Sequence, residues 1–412
     1  MGNLFKIAIR NLLRYKRRTL LTASLITVGV VFVLAFIAVS GSFKNMMIGE
    51  ITDAMLGHIQ IHKKGYVASI DNLPLNLNLK AQAAARIDEI LRSRKDVEAS
   101  SPRLKFGGLF SNFAESTNVR LNGVYPEREF KTVPLLTSRI SEGGKTIGKG
   151  EILIPSLLAR GMKVKVGDPV VIVATNQDGS VNGKQFVVAG ILEGVTGPGG
   201  RDGYIHIEDA AEVLRMPALE ISEIAIRLKD FDRLQPAFQE ISKQLEAEFR
   251  KDDKFPLEIH TWEGLTPFFN IARMIDLMTF FIKIMLIAIV LISIMNVMIM
   301  AVYERIREIG TIAAIGTLPG KILSMFVIEG FCMGVVGAVI GDIVGIGLVY
   351  ILNLFKISYD FGQQKGLLLQ ASVQPTDVLM ISITVIIVSV IASLQPAFKA
   401  SRMEPIQALR HV

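Results

Sequence analysis

Two histidines and two acids are the residues whose types and spacing first suggest chemistry. His58 and His62 are four apart, a spacing that puts two imidazoles on one helical face for a metal. Their segment reads GHIQIH over Gly57–His62, however, and the alternation of Ile59 and Ile61 is that of a strand. On a strand the two rings stand roughly 13 Å apart, so no metal site is expected. Glu329 and Asp342 lie in an otherwise apolar run. An acid at mid-membrane costs about 2.5–3.5 kcal/mol on insertion scales, so each needs a reason to be there. Glu329 lies about 12 Å along a helix from Lys321, which puts it near one membrane interface. Asp342 reaches the other interface if the helix breaks near Gly345; a proton relay is the alternative reading. The string GGKTIGKGE around Lys145 approaches a phosphate loop but lacks its first glycine at the required spacing. No GxSxG, HExxH or CxxC occurs, and the single cysteine, Cys332, cannot form an internal disulfide.

The elements that position these residues are dominated by apolar runs. Of 412 residues, 50% are hydrophobic and 20% charged, against about 25% charged in soluble domains. This composition excludes a disordered tail protein and a disulfide scaffold. Four stretches are long enough to cross about 30 Å of hydrocarbon: residues 19–43, 275–303, 322–355 and 378–398. A polar block, residues 44–273, separates the first from the second, and a short loop, 356–377, separates the third from the fourth. Lysines and arginines cluster in residues 1–18, 304–321 and 399–412. An even number of spans puts all three clusters on one side, so both termini are expected in the cytoplasm and the block outside it. The net charge of +7 therefore speaks to topology, not to nucleic acid. A cleavable signal peptide ending near Ala38 and Ser40 is the rival reading of the first run, which is longer than a signal core of about 7–15 residues. Upstream, Leu4, Phe5, Ala8, Leu12 and Tyr15 recur at helical spacing opposite Lys6, Arg10 and Arg14. This is either an amphipathic interfacial helix or a plain basic leader.

The outer block mixes strand and helix signals. Lys80–Arg94 and Pro236–Phe249 read as helices, whereas Val170–Ala174, Gln185–Leu192 and Ile221–Leu228 read as strands. Asp178-Gly179 and Asn182-Gly183 are both hairpin turn signals. Gly194–Gly203 is a glycine-rich loop, either an exposed tip or a partner grip. The expected class is thus membrane α-helical, with four transmembrane helices in a one-plus-three arrangement and a large α+β extracytoplasmic domain between the first two.

Three further patterns carry information. Glu304, Arg305, Arg307 and Glu308 follow the second span and precede Ile309, Ile312, Ala313 and Ile315, with Thr317–Gly320 turning the chain back. Arginines here can fix the register of a partner helix through carboxylates, or they can simply stop the span. Gly330, Gly334, Gly337, Gly341 and Gly345 make a flat face on the third span, for packing within the chain or between chains. Phe32, Phe36, Phe43, Phe268, Phe269, Met274, Phe280 and Phe281 gather near the outer leaflet, as a lipid-accepting cleft or as helix packing.

The strings YERIREIGTIAAIGTLPGKI, Tyr303–Ile322, and PAFKASRMEPIQALR, Pro396–Arg410, resemble the ends of the FtsX-like permease domain. That domain is shared by the MacB-type and lipoprotein-releasing ABC transporter permeases, the type VII or mechanotransmission group. GEILIPSLLARGMKVKVGDPVVIV, Gly150–Val173, is similar to a stretch of that family's outer domain. The resemblance covers nearly the whole chain and lies nearest the lipoprotein-releasing (LolC/LolE) branch. It implies a MacB-like periplasmic core domain with a smaller subdomain inserted at about 126–220. It also implies that Tyr303–Gly316, with Gly310 and Gly316 at family positions, is a coupling helix on a separate ATPase. Two permease chains, identical or paralogous, would join two ATPase copies in a bacterial inner membrane. ATP and Mg would be held by the ATPase and no cofactor by this chain. The function implied is release of a lipoprotein or other amphiphile from the outer leaflet, with a periplasmic carrier or adaptor as a further partner. MacB-like efflux of peptides or small molecules, and FtsX-like activation of a cell-wall hydrolase, are the alternatives.

Because no phosphate loop is present, the purified chain is expected to hydrolyse no ATP. Turnover that survives rigorous removal of any co-purifying ATPase subunit would contradict this.

Overall fold

The computed structural model describes residues 5–6, 10, 12, 14–193, 201–250, 255–361, 364–368 and 370–403. Leu4, Ala8, Arg410 and most of the Gly194–Gly203 loop lie outside the described residues. In chain order, helix α1 runs over Lys16–Ile51 and continues as a π-helical turn at Thr52–Leu56. Strand β1 (Ile59–Lys63) and helix α2 (Ala81–Ser93) follow. Next come β2 (Val97–Ser111), β3 (Ser116–Val124), α3 (Pro126–Thr132), α4 (Leu135–Ser138), β4 (Ile140–Gly143) and β5 (Glu151–Pro155). Then α5 (Ser156–Gly161), β6 (Pro169–Thr175), β7 (Val181–Leu192), β8 (Asp202–His206) and α6 (Ile207–Val213). The block closes with β9 (Glu223–Leu228), α7 (Leu234–Phe249), β10 (Leu257–Thr261) and α8 (Trp262–Leu265). The long helix α9 (Phe268–Glu304), the short α10 (Ile306–Ala314) and α11 (Pro319–Leu354) come next. A hairpin of β11 (Ser358–Phe361) and β12 (Gln364–Leu368) leads to α12 (Pro375–Ser401).

The chain divides into two compact units, residues 1–44 with 273–358 and 368–412, and residues 45–272 with 359–367. In the first, α1, α9, α11 and α12 are long and apolar enough to cross a membrane. Ile26, Val30, Leu34, Val290, Ile294, Phe326 and Val385 form its core. The glycine face of α11 is spent inside this unit. A Cβ on Gly330 or Gly334 would fall 2.5–2.7 Å from the Cβ and hydroxyl oxygen of Ser393 or Ser389 on α12. A Cβ on Gly337, Gly341 or Gly345 would meet Ile26, Val30 and Leu34 of α1 at 2.6–2.8 Å. Only hydrogen at these positions lets three helix backbones approach so closely, and dispersion contacts replace the missing hydrophobic drive between helices in lipid. The stripe therefore packs the chain on itself. The expected break at Gly345 is also absent: α11 is continuous to Leu354, because Gly345 serves close approach, not chain reversal. Asp342 instead accepts a 2.5 Å hydrogen bond from the Ser382 hydroxyl.

The second unit is built on one ten-stranded sheet in the order β10-β1-β9-β2-β3-β8-β5-β7-β4, with β6 pairing β2 and β7. Alternation along β1 sends Ile59 and Ile61 into an apolar core with Phe106, Ile224 and Ile226, closed by Ile87 and Leu91 of α2 and Ile241 and Leu245 of α7. The segment 126–220 does not separate as a subdomain. It supplies β4 to β8 to the same sheet, β8 lying parallel to β3 and β6 antiparallel to β2. A smaller cluster around Val133, Leu136, Leu153 and Leu192 packs beside it. One of the two turn signals is a turn: Asn176 donates to Ser180 across 2.8 Å, and Gly179 takes a φ of +83°. The other, Asn182-Gly183, lies inside β7 opposite Ala174 and Val173, because pairing with β6 starts as early as Val181.

The opposite sheet face holds a buried ionic interior. Arg103 of β2, 2% exposed, lies 2.8 Å from Glu129 of α3 and 2.9 Å from Glu223 of β9, both fully buried. Lys105 reaches Glu223 at 2.9 Å, and His62 lies 3.5 Å from its other oxygen. Burial alone would raise the Glu223 carboxyl, but Lys105, His62 and Arg103 hold it well below the usual carboxylate range. Tyr66 stacks on His62 at 5.2 Å. His58 instead accepts from the Leu228 N–H at 3.0 Å, so the two histidines serve separate polar contacts. Asp202 has less compensation. Burial raises it to about 6, although Lys105 and Arg120 oppose the shift.

Two predictions follow from this packing. Gly341→Ala is expected to lower the melting temperature of the detergent-solubilised chain, since overpacking costs about 1–3 kcal/mol. Gly347→Ala, where a Cβ meets nothing within 4 Å, should leave it unchanged or raise it. Equal effects of the two would refute the packing account. The second concerns residues 45–272 expressed alone, which should unfold cooperatively without metal or disulfide. A carboxyl raised from 3.8 to about 6 stabilises the folded state fully below pH 3.8, and that stability is lost as pH rises through 6. At 1.36 kcal/mol per unit the loss is about 3 kcal/mol. The stability of Asp202→Asn relative to wild type should therefore improve by about that amount between pH 3 and 7 in urea titrations. Parallel pH profiles would rule out the buried carboxyl as the cause.

Candidate functional site

The candidate coupling element begins where the second span ends. Helix α9 runs through Glu304, Arg305 breaks it with φ −111° and ψ 17°, and α10 restarts at Ile306. The expected continuous helix Tyr303–Gly316 is therefore two pieces. Gly316, at φ +95°, closes α10: its N–H donates to Ala313 and the Thr317 N–H donates to Ile312. A left-handed residue here satisfies the last helical carbonyls, which is why the position needs glycine.

The side chains divide by face. Ile309 and Gly310 are buried against the helices of the first unit. Glu304, Arg307, Glu308, Ile312 and Ile315 are exposed. Glu308 pairs with Arg14 of the N-terminal segment at 3.4 Å, a surface contact worth at most about 1 kcal/mol. Arg305 departs from expectation. It is 2% exposed and turns onto Glu329 of α11, with Nη1 at 3.2 Å and Nη2 at 3.5 Å from the two carboxylate oxygens. Its guanidinium also lies 4.7 Å from the centre of the Tyr15 ring. A cation so enclosed cannot also serve as a contact on a partner's surface. The partner for Glu329 was missed at the sequence level, although an acid in an apolar run signals that a cation must reach it.

The aromatic group splits between the two units. Phe268 and Phe269 belong to the second, where Phe269 packs edge-on against Trp262 at 6.0 Å and joins its core margin. That correction follows from α9 beginning at Phe268, before the chain enters the first unit. Phe32, Phe36, Phe43, Met274, Phe280 and Phe281 belong to the first. Phe32, Met274, Phe280 and Phe281 are each more than half exposed, whereas Phe36 and Phe43 are partly buried. Helices α1 and α9 are tied by the Lys44–Asp276 ion pair at 2.6 Å and by Gly29 lying against Leu286. At 1.5 Å of rise per residue this antiparallel register sets Phe32 and Phe36 at about the level of Phe280 and Phe281. Phe32 on α1 and Met274, Phe280 and Phe281 on α9 thus present exposed apolar side chains of a kind that acyl chains can pack against.

Comparison with known proteins agrees with this architecture. Residues 19–244 match the model of the MacB-like periplasmic core domain, and residues 280–405 that of the FtsX-like permease C-terminal domain. The lipoprotein-releasing system transmembrane protein LolC of Neisseria meningitidis is 24% identical over 420 residues, covering 95% of this chain and 94% of its own. LolE of Haemophilus influenzae is 24% identical over 345 residues, 78% of this chain and 80% of its own. The probable export ATP-binding/permease protein MacB of Pseudomonas entomophila is 22% identical over 418 residues, 98% of this chain but 58% of its own. One domain model covers more than half the chain and the other most of its remaining spans, in the order that the fold displays, and on this ground the chain belongs to the FtsX/MacB-type family of ABC transporter permeases, near its Lol branch.

Proposed function

We propose that this permease works with a separate ATPase and a second permease chain to release a lipoprotein, or a like amphiphile, from the outer leaflet of a bacterial inner membrane. The observation that carries the reading is the exposure of the apolar side chains Phe32 on α1 and Met274, Phe280 and Phe281 on α9. Acyl chains partition onto such a surface at about 0.8 kcal/mol per buried CH₂, and methionine adapts to chains of different shape. The names of the LolC and LolE relatives support the same substrate class. On this reading α10, with Arg307 and Glu304 exposed, docks on the ATPase, both termini are cytoplasmic, and residues 45–272 move outside in response to nucleotide. A periplasmic carrier or adaptor would take the product.

The test is reconstitution of the permease with its ATPase and second permease in proteoliposomes holding a triacylated lipoprotein. ATP-dependent appearance of that lipoprotein in the soluble fraction, with an acceptor present, is expected. Phe280→Ser with Phe281→Ser should reduce it at least tenfold while the ATPase stays bound. Lipoprotein release that is indifferent to these substitutions would refute the aromatic surface as the acyl site, and export of a macrolide or peptide with no lipoprotein release would overturn the proposal in favour of efflux.

A further inference from the structure

Arg305 lies where three segments of the chain meet. It interrupts the helix between α9 and α10. It forms a two-point pair with Glu329, eleven residues into α11. It packs its guanidinium over Tyr15 at 4.7 Å. The N-terminal segment is fastened to α11 independently, because Leu12 is buried with Cys332 and Met333. It reaches α10 a second time through Arg14 and Glu308. Helix α10 has non-helical backbone at both ends, Arg305 and Gly316. A short rod with a break at each end pivots when pushed unless something ties it down, since such residues absorb φ/ψ change in hinge motions. The buried pair supplies that tie. Its bidentate geometry fixes direction as well as distance, which a lysine's single ammonium would not do. The aromatic ring covers the cation and excludes water from it.

We infer that Arg305 is a positioning residue that locks α10 to the third span and to the N-terminal segment, so that a displacement of α10 is carried by α9, α11 and Leu12, Arg14 and Tyr15 together. This rests on the reading that α10 docks on an ATPase. It assigns the two arginines different work: Arg307 faces outward, and Arg305 transmits.

The experiment uses the full complex in nanodiscs, with Cys332→Ala and a spin label at Ala114→Cys, an exposed hairpin position in the outer unit. The readout is the change in the label's spectrum on adding ATP with vanadate. Arg305→Gln with Glu329→Gln removes both charges together, leaves no uncompensated buried ion and should fold, as a melting curve will show. This variant should keep the ATPase bound and turning over within twofold of wild type, while the label response falls to a tenth or less. Arg305→Lys should restore part of the response. A full response in the doubly neutral variant, or loss of the ATPase from it, would overturn the proposal, the latter because Arg305 would then be a docking contact. Arg307→Glu with Glu304→Lys tests the underlying reading separately. Retention of the ATPase by that variant would refute docking through α10, while the Arg305 comparison still decides whether the pair transmits. A wild-type complex whose label ignores nucleotide would sink both.

Discussion

A carboxylate in a membrane span must find a cation, and the helical unit of this permease is arranged around that demand. Glu329 is fully buried, and Arg305 meets it with both terminal nitrogens. Removing two charges from water costs several kcal/mol per ion, returned only where geometry is good. Such a pair is weak evidence for stability, but it specifies arrangement well. It brings the end of α9, the start of α10 and the first third of α11 to one point, and Tyr15 closes the site from the N-terminal side. The glycines of α11 act in the same direction. By removing Cβ atoms facing Ser389, Ser393, Ile26, Val30 and Leu34, they let α11 serve as the spine on which α1 and α12 pack.

The outer unit solves a similar problem by different means. Its sheet has one apolar face, covered by α2 and α7, and one face carrying Arg103, Lys105, His62 and Glu223, with Glu129 packed over it. Cross-linking β1, β2, β9 and α3 through charge gives the interior a definite register, since a strand slipped by one residue would bury these charges unpaired in the apolar core. The strands cannot slide without breaking several ion pairs at once.

Much of this was legible in the residues. The spans and the α+β character of the outer block follow from hydropathy and period, which are local properties of the chain. The strand at Ile59–Lys63 and the helices at Ala81–Ser93 and Leu234–Phe249 follow from spacing of apolar residues. The turn at Gly179 was readable from Asp-Gly, yet Asn182-Gly183 carries the same signal and lies in a strand. Local chemistry permits a turn at both. Only the partner strand, whose pairing already begins at Val181, chooses between them.

What the sequence by itself determined is therefore the set of elements and which of them are long and apolar enough to cross a membrane. What only the tertiary structure decided is the use of individual side chains. Arginines 305 and 307 are two apart in one motif and read alike, but residues two apart on a helix do not share a face. The break at Arg305 turns it inward while Arg307 stays exposed. The glycine stripe fits an internal and an external partner equally well until Ser389 and Val30 are seen against it. Segment 126–220 has the length of a subdomain, but its strands hydrogen-bond into the common sheet. In each case the deciding contact joins residues far apart in the chain, and no local pattern encodes the identity of a distant partner.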